Sequence, residues 1–148
     1  MKQTRFIDAN KTLNDFKTEV WVICPSCKRK AITKIDHDLR IARLLCAHCS
    51  YNREVSTETN LLGMKANLLI SANAYFGAAL WLQHPFKNDI FWAYNNMHLD
   101  YLEQYIAATL REHKERSHFT LLEKLPKFYH EAKNRSALLK IIQKLRVK

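Results

Sequence analysis

The sequence predicts an α+β fold: an N-terminal module of short antiparallel strands held by a metal ion, then an aromatic β-hairpin packed with two or three C-terminal helices. Three observations predict it. The four cysteines form two close pairs, aromatic residues flank a turn signal near the middle, and apolar residues recur at helical spacing toward the C-terminus. With 148 residues and 47% hydrophobic residues, the chain is long enough for a core and a small module. We expect an N-terminal segment 1–18, a metal-held module 19–57 and an α+β domain 58–148.

The cysteine spacing carries the metal prediction. Cys24 and Cys27 form one C-x2-C pair, Cys46 and Cys49 form another, and 18 residues separate the pairs. Each pair can turn two sulfurs toward one ion, and two pairs complete a tetrahedron of thiolates. The linker contains β-prone residues 31–35, a turn signal at 36–38 and an alternating return through 39–45, so it predicts a hairpin. We therefore predict one zinc ion per chain, and its four sulfur ligands leave it structural rather than catalytic.

Other readings of the same four residues stay open on spacing alone. Two structural disulfides need an oxidising compartment, for which the sequence has no signal. A redox C-x2-C pair belongs at a helix start, whereas these pairs bracket a hairpin. Iron in a rubredoxin-like site uses similar pairs and is the less favoured metal. His48 lies inside the second pair and is expected to point outward, since four cysteines already complete the site.

Residues 19–56 resemble the zinc-ribbon modules of the general transcription factor B type. The resemblance implies a ribbon with a structural zinc ion, a module found on many proteins that contact nucleic acid or its machinery. Ribbons also act as protein docks and as simple structural staples. Many ribbons have glycine after the last cysteine, where this chain has Ser50.

A β-hairpin is predicted at about 78–94, with strands 78–82 and 90–94 around a turn at 84–89. Residues 57–74 are left unassigned. Helices are predicted at about 96–114, 119–132 and 135–146. The expected caps are Asn95 and Asn96 for the first helix, and Asn134 or Ser136 for the last.

A second resemblance covers residues 19–145. It rests on the segments Leu80-Trp81-Leu82-Gln83, Trp92-Ala93-Tyr94-Asn95 and Ala132-Lys133-Asn134-Arg135. These are similar to a family of small bacterial proteins that append such a segment to a zinc ribbon and have no established activity. The resemblance implies the same architecture and no particular reaction.

The positive charge lies at the two ends of the chain. Residues 1–60 hold 11 basic and 7 acidic residues, residues 61–110 hold 2 and 3, and residues 111–148 hold 11 and 4, which gives +4, −1 and +7. Basic groups attract phosphates through ion pairing and counterion release. The residues predicted to meet DNA or RNA phosphates are Lys28, Arg29, Lys30, Arg43, Lys140 and Lys144.

The favoured function is non-enzymatic binding of DNA or RNA, or association with nucleic-acid machinery. The alternative is an adaptor with a purely structural ribbon that docks an acidic protein. A distant third is a His-Asn-His-like metal nuclease built from His84, Asn95 or Asn96, and His98, a poor match because the Asn and the last His are too close. No catalytic residue is assigned.

Targeting signals are missing from the sequence. No uncharged apolar run approaches the roughly 20 residues that cross a bilayer, and the N-terminus leads into no apolar signal core. We therefore expect a cytoplasmic protein without a membrane partner. The sequence predicts no oligomeric state.

Overall fold

The computed structural model describes residues 5–7, 11–108, 110–112, 121–122 and 125–148. It confirms the mixed α+β fold, with antiparallel strands near the N-terminus, a later hairpin and two C-terminal α-helices. The chain forms two compact units, one of residues 16–82 and one of residues 1–15 with 83–148. The predicted module of residues 19–57 lies inside the first unit.

The elements follow in chain order. The strands are β1 Arg5–Ile7, β2 Glu19–Ile23, β3 Lys30–Asp36, β4 Ile41–Leu45, β5 Asn52–Ser56, β6 Glu58–Leu61, β7 Met64–Asn67, β8 Leu82–Phe86, β9 Asp89–Ala93 and β10 Leu110–Glu112. The α-helices are α1 Asn96–Ala107 and α2 Arg135–Arg146. Short 3-10 turns include Leu13–Asp15, Ala72–Phe76, Lys127–Tyr129 and Ala132–Asn134.

The first unit is built on a four-stranded antiparallel sheet in the order β2-β3-β4-β5. Its strands alternate, because one face packs on the core and the other meets solvent. Val20 and Val22 of β2 and Leu44 of β4 are fully buried on the inner face. Thr33 joins them there, and its hydroxyl donates a hydrogen bond to the Val20 carbonyl at 2.8 Å. The residues on the opposite face of β2, β3 and β4 are half-buried or exposed.

The unassigned segment 57–74 contains a second hairpin. Strands β6 and β7 pair antiparallel, with Leu61 opposite Met64 across a two-residue turn. Both turn residues, Leu62 and Gly63, have positive φ, at 53° and 78°. A tight hairpin turn of this kind normally takes asparagine and glycine. The 3-10 turn Ala72–Phe76 follows.

The predicted aromatic hairpin exists, but its first strand was placed too early. Residues 79–81 lie along β2, where the Trp81 N–H donates to the Trp21 carbonyl at 2.9 Å. The hairpin strands are β8 and β9, and the turn shrinks from the predicted 84–89 to Lys87 and Asn88. Pro85 misled the prediction, because a two-stranded ribbon has free edges where proline is tolerated inside a strand.

Helix α1 begins as predicted and ends earlier than predicted. The Asn95 side chain accepts a hydrogen bond from the His98 N–H, which confirms the cap. The predicted end at 114 is wrong, because α1 stops at Ala107 and strand β10 follows. The Arg135 guanidinium donates to the carbonyls of Ile106 and Ala108, at 3.0 and 3.2 Å, and so satisfies the last turn.

The predicted helix 119–132 lies partly outside the described residues. Its described part is not one helix, because two 3-10 turns are separated by Glu131 in an extended conformation. Helix α2 spans the predicted 135–146. Asn134 precedes α2, but its side chain does not cap it and instead binds Lys87 Nζ and the Phe128 carbonyl.

The second unit is held by a large apolar core. Its fully buried residues include Phe91, Leu99, Leu102, Leu138 and Ile142. Aromatic rings join the hairpin to the 3-10 turn 127–129 in an aromatic cluster: the ring centroids are 5.2 Å apart for Phe86 and Phe128, and 5.4 Å for Phe91 and Tyr129. Strands β1 and β10 pair in parallel in the same unit.

Candidate metal centre

Both cysteine pairs sit in turns at the same end of the four-stranded sheet. Ile23 of β2 pairs with Lys30 of β3, so Cys24 and Cys27 belong to the β2–β3 turn. Leu45 of β4 pairs with Asn52 of β5, so the second pair belongs to the β4–β5 turn. Antiparallel pairing of β3 with β4 brings the two turns together.

The first turn is a tight knuckle closed by two backbone hydrogen bonds. The Cys24 N–H donates to the Arg29 carbonyl at 2.7 Å, and the Lys28 N–H donates to the Cys24 carbonyl at 3.0 Å. Lys28 has a φ of 66°, in the left-handed region. The chain can reverse this sharply only if one residue takes such a conformation.

The second knuckle repeats the first bond for bond. The Cys46 N–H donates to the Tyr51 carbonyl at 2.9 Å, and the Ser50 N–H donates to the Cys46 carbonyl at 3.0 Å. Ser50 has a φ of 63°. Many ribbons have glycine at this position, and the left-handed backbone of Ser50 is the conformation that glycine adopts most easily.

The four sulfur atoms have the spacing of a tetrahedral metal site. Cys24 Sγ lies 3.7 Å from Cys49 Sγ, and Cys27 Sγ lies 3.6 Å from Cys46 Sγ. All four lie within 4.8 Å of one another. A tetrahedron with metal–sulfur bonds of about 2.3 Å has edges of about 3.8 Å, whereas a disulfide joins sulfurs at about 2.0 Å. All four cysteines are free, so the geometry fits one ion and not two disulfides.

Hydrogen bonds, burial and neighbouring sulfurs shift the pKa values of the two cysteines of the first knuckle in opposite directions. Burial raises the pKa of Cys24, but N–H groups of Cys27 and Ser26 point at its sulfur and the pKa falls to about 7. At Cys27 an N–H from Arg29 lowers the pKa, yet burial and the three neighbouring sulfurs outweigh it and raise the pKa to about 11. Four converging thiolates need a cation between them, because they repel one another without it.

The chemistry of the donor set makes the site structural. Four thiolates fill a tetrahedron and leave no position for a reactive water. Zinc and iron both accept such a set. His48 is exposed and is not among the clustered ligands. In the described part of the chain, these cysteines form the one His, Cys, Asp or Glu group with metal-binding spacing.

The predicted phosphate-binding residues fall into two sets in different units. Lys28, Arg29, Lys30 and Arg43 belong to the first unit, and Lys140 and Lys144 lie on α2 in the second. Within the first set, the Lys28 ammonium donates to the Pro25 carbonyl at 3.0 Å. Arg43 pairs with Glu54 at 2.8 Å. Their contact with nucleic acid stays a prediction.

Sequence reasoning did not single out the outer face of the sheet, which is the face opposite Val20, Val22 and Leu44. Alternation along β2, β3 and β4 places on this face Trp21, Lys30, Ile32, Lys34, Arg43 and Leu45. Lys30 Nζ lies 3.5 Å from the centroid of the Trp21 ring, a cation–π contact. Strict period-two counting along β3 and β4 was the signal that would have found this face.

Two residues of the nuclease-like pattern, Asn95 and His98, make contacts that stabilise the start of helix α1. His98 is 1% exposed, and its Nδ1 accepts a hydrogen bond from the Tyr94 N–H at 3.0 Å. Asn95 caps α1. Burial lowers the pKa of His98 to about 4, so the ring is neutral at pH 7. These contacts match a capping asparagine and a core histidine. The expectation that the protein has no enzymatic activity stays a prediction.

Fold and site together define the class: an α+β protein whose sheet ends in four cysteines with metal-binding spacing, an arrangement consistent with a zinc-ribbon-like site. No family model, curated protein or solved structure matches the chain, so no family is assigned to it. Among the described residues, no helix has the length and apolar character needed to cross a membrane.

Proposed function

We propose that this is a non-enzymatic nucleic-acid-binding protein whose ribbon is folded by one structural zinc ion. Zinc is favoured over iron because four thiolates from two knuckles form a closed site. The role of such a site is to stabilise the fold, and that role requires no redox-active metal. The sulfur spacing of 3.6 and 3.7 Å supports a single tetrahedral ion.

The observation that carries the nucleic-acid proposal is the cationic turn of the first knuckle. Lys28, Arg29 and Lys30 follow Cys27 directly, and Lys28 and Arg29 are exposed. Their backbone is held by the two knuckle hydrogen bonds and, when the ion is bound, by the metal. A basic turn that is already ordered loses little entropy when it meets a phosphate backbone.

Helix α2 offers a second basic surface, in the other unit. Lys140 and Lys144 are exposed, whereas Leu138, Ile141 and Leu145 are buried. The exposed lysines and the buried apolar residues therefore lie on different faces of this helix. By contrast, Arg146 pairs with Asp100 and Glu103, at 2.6 and 3.0 Å, and adds little free charge.

The test is the salt dependence of binding by the zinc-loaded full chain. Fluorescence anisotropy with mixed-sequence DNA and RNA should show binding at 50 mM salt that weakens steeply by 200 mM. The double variant K28Q/R29Q should lose several-fold in affinity. Lys65→Gln removes one exposed charge from the separate β6–β7 hairpin and is the matched control. The absence of any binding at 50 mM salt would refute the proposal.

One observation favours the adaptor alternative. The tip of the β6–β7 hairpin exposes Leu61, Leu62 and Met64, at 64%, 97% and 73%. No acidic residue occurs from Thr59 to Asn88, so nothing there repels an acidic partner. An adaptor should bind an acidic amphipathic peptide of alternating Glu and Leu, and Leu62→Asn should abolish that binding without unfolding the turn. Nucleic-acid binding without peptide binding excludes this alternative.

A further inference from the structure

The outer face of the four-stranded sheet carries an apolar row made of Trp21, Ile32 and Leu45. Strand register aligns the three side chains, since Trp21 pairs with Ile32 and Ile32 pairs with Leu45. Leu45, the last residue of β4, is 58% exposed, and exposed apolar side chains that adjoin other apolar groups mark an interaction surface. The row spans two interstrand distances, about 10 Å, which is the length of two or three nucleotides.

Basic residues flank the apolar row on both sides. Lys34 and Arg43 oppose each other in the next row of the sheet, and Lys30 lies over the Trp21 ring on the knuckle side. A concave space of about 800 Å³ opens above Ile32 and Leu45, at the end of the row away from Trp21. Its lining also includes Lys34, Arg43 and the carboxylates Asp36 and Asp38. A polymer with planar apolar groups and regularly spaced negative charges matches this pattern.

The carboxylates on this face do not block an anionic ligand. Lys34 pairs with Glu19 at 3.3 Å and Arg43 with Glu54 at 2.8 Å, and all four side chains are at least 44% exposed. Exposed pairs of this kind contribute little to stability, so a phosphate can replace the carboxylate as partner. The turn 36–38 also carries two carboxylates, Asp36 and Asp38. Because they repel phosphates, an anionic strand would cross the sheet from strand to strand rather than run along β3 toward this turn.

From these features we infer that the outer face binds single-stranded nucleic acid, with bases on the apolar row and phosphates at Lys30, Lys34 and Arg43. The inference rests on the proposed function and adds its substrate class. A duplex presents phosphates outward and keeps its bases stacked inside, so it would cover the apolar row without contacting it.

The experiment compares two probes on the zinc-loaded full chain: a labelled 12-nucleotide thymidine strand and a 12-base-pair duplex. The single strand should bind at least tenfold more tightly at 50 mM salt. Its affinity should fall with a log–log salt slope of about −2, since three phosphate contacts on a single strand each contribute about −0.7. Lys30 lies over the Trp21 ring, so a base stacks there only when it takes the place of the ammonium, which then turns to a phosphate. The loss of that stacking predicts at least a fivefold loss of affinity for Trp21→Ala.

Matched variants keep the test independent of folding. Leu45→Asp places a negative charge in the row and should weaken strand binding at least tenfold. Leu69→Asp makes the same change at a leucine that is 63% exposed in the same unit but outside the sheet, and it should leave strand affinity within twofold. Trp21→Phe keeps a ring and should retain most of the binding.

The possible outcomes separate the two claims. Equal or tighter binding of the duplex, with Leu45→Asp and Leu69→Asp behaving alike, overturns the inference while the proposed function stands. Failure of both probes to bind, together with failure of mixed-sequence DNA and RNA, overturns both. A single-strand preference that only Leu45→Asp and Trp21→Ala abolish supports the inference.

Discussion

The two units differ in what holds them together. In residues 16–82, the fully buried side chains are mostly small, such as Val20, Ala31 and Ala42, and four cysteines converge at one end of the sheet. In the other unit, α1 and α2 bury leucines and isoleucines against phenylalanine and tyrosine rings. The comparison predicts that a metal ion held by the cysteines supplies the stability that a thin sheet core lacks, whereas the helical unit relies on apolar burial.

The largest expected effect comes from removing the metal. Strong chelation, or Cys24→Ser at a fully buried ligand, should unfold the sheet, because metal binding at such sites provides about 10 kcal/mol or more of folding free energy. Amide NMR spectra should lose the resonances of β2–β5 and keep those of α1 and α2. His48→Ala, at an exposed residue between two ligands, is the control and should retain the metal. A sheet that persists without metal would remove the contrast between the units.

The next effect should be confined to the helical unit. Leu138 is 0% exposed on α2, so Leu138→Ala leaves a cavity and should cost about 2–5 kcal/mol in the unfolding of that unit. The neighbouring Leu139 is only partly buried, and Leu139→Ala should cost much less. Denaturant unfolding followed by helical circular dichroism measures both, and metal content should not change in either variant. Equal costs for the two leucines would argue against the core described here.

Local spacing in the sequence was sufficient to predict the cysteine knuckles and helix α2, because cysteines three residues apart form a knuckle and apolar residues at helical intervals form a buried face. Contacts between residues that are distant in the sequence could not be predicted from local spacing. Arg135 ends α1 from a position 27 residues beyond Ala108, and no local signal marks that role. Arg5 and Leu110 lie in segments that are far apart in the sequence, and nothing in either segment predicted that the two pair in parallel. Pro85 was interpreted as a turn residue, because the sequence alone does not show that it lies at a free strand edge, where proline is tolerated.

The candidate site divides in the same way. Ligand identity followed from cysteine spacing, since the knuckle is a local structure. The partners of the basic residues did not follow, because Arg43 meets Glu54 and Lys30 meets Trp21 only when the strands pair. Charge counting therefore overstated the free charge near Arg43 and overlooked the apolar row between the basic residues.

Acid should also destabilise the helical unit through one buried histidine. Burial lowers the pKa of His98 to about 4, below its usual 6.5, so the folded state favours the neutral ring. The resulting stability is complete above pH 6.5 and is lost as the pH falls from 6.5 toward 4, by about 3 kcal/mol in all. NMR titration of the imidazole should give this low pKa directly. Titration near 6.5 would contradict the burial of His98 in the helical unit.

The smallest effect concerns the strain of the knuckles. Ser50 has a φ of 63°, so Ser50→Gly should stabilise the metal-bound sheet by about 1 kcal/mol. Ser26→Gly changes a serine of the other knuckle that is not in the left-handed region and should bring no gain. Thermal unfolding in the presence of excess zinc measures the difference. A gain for both variants, or for neither, would show that backbone strain at Ser50 is negligible.

X-ray absorption at the metal edge of the purified protein tests most directly the claim that four thiolates around one ion hold the sheet together. We expect one zinc ion per chain with four sulfur neighbours at about 2.3 Å and no nitrogen neighbour. Metal-free protein with an intact sheet, or a shell that includes nitrogen or oxygen ligands, would contradict the account.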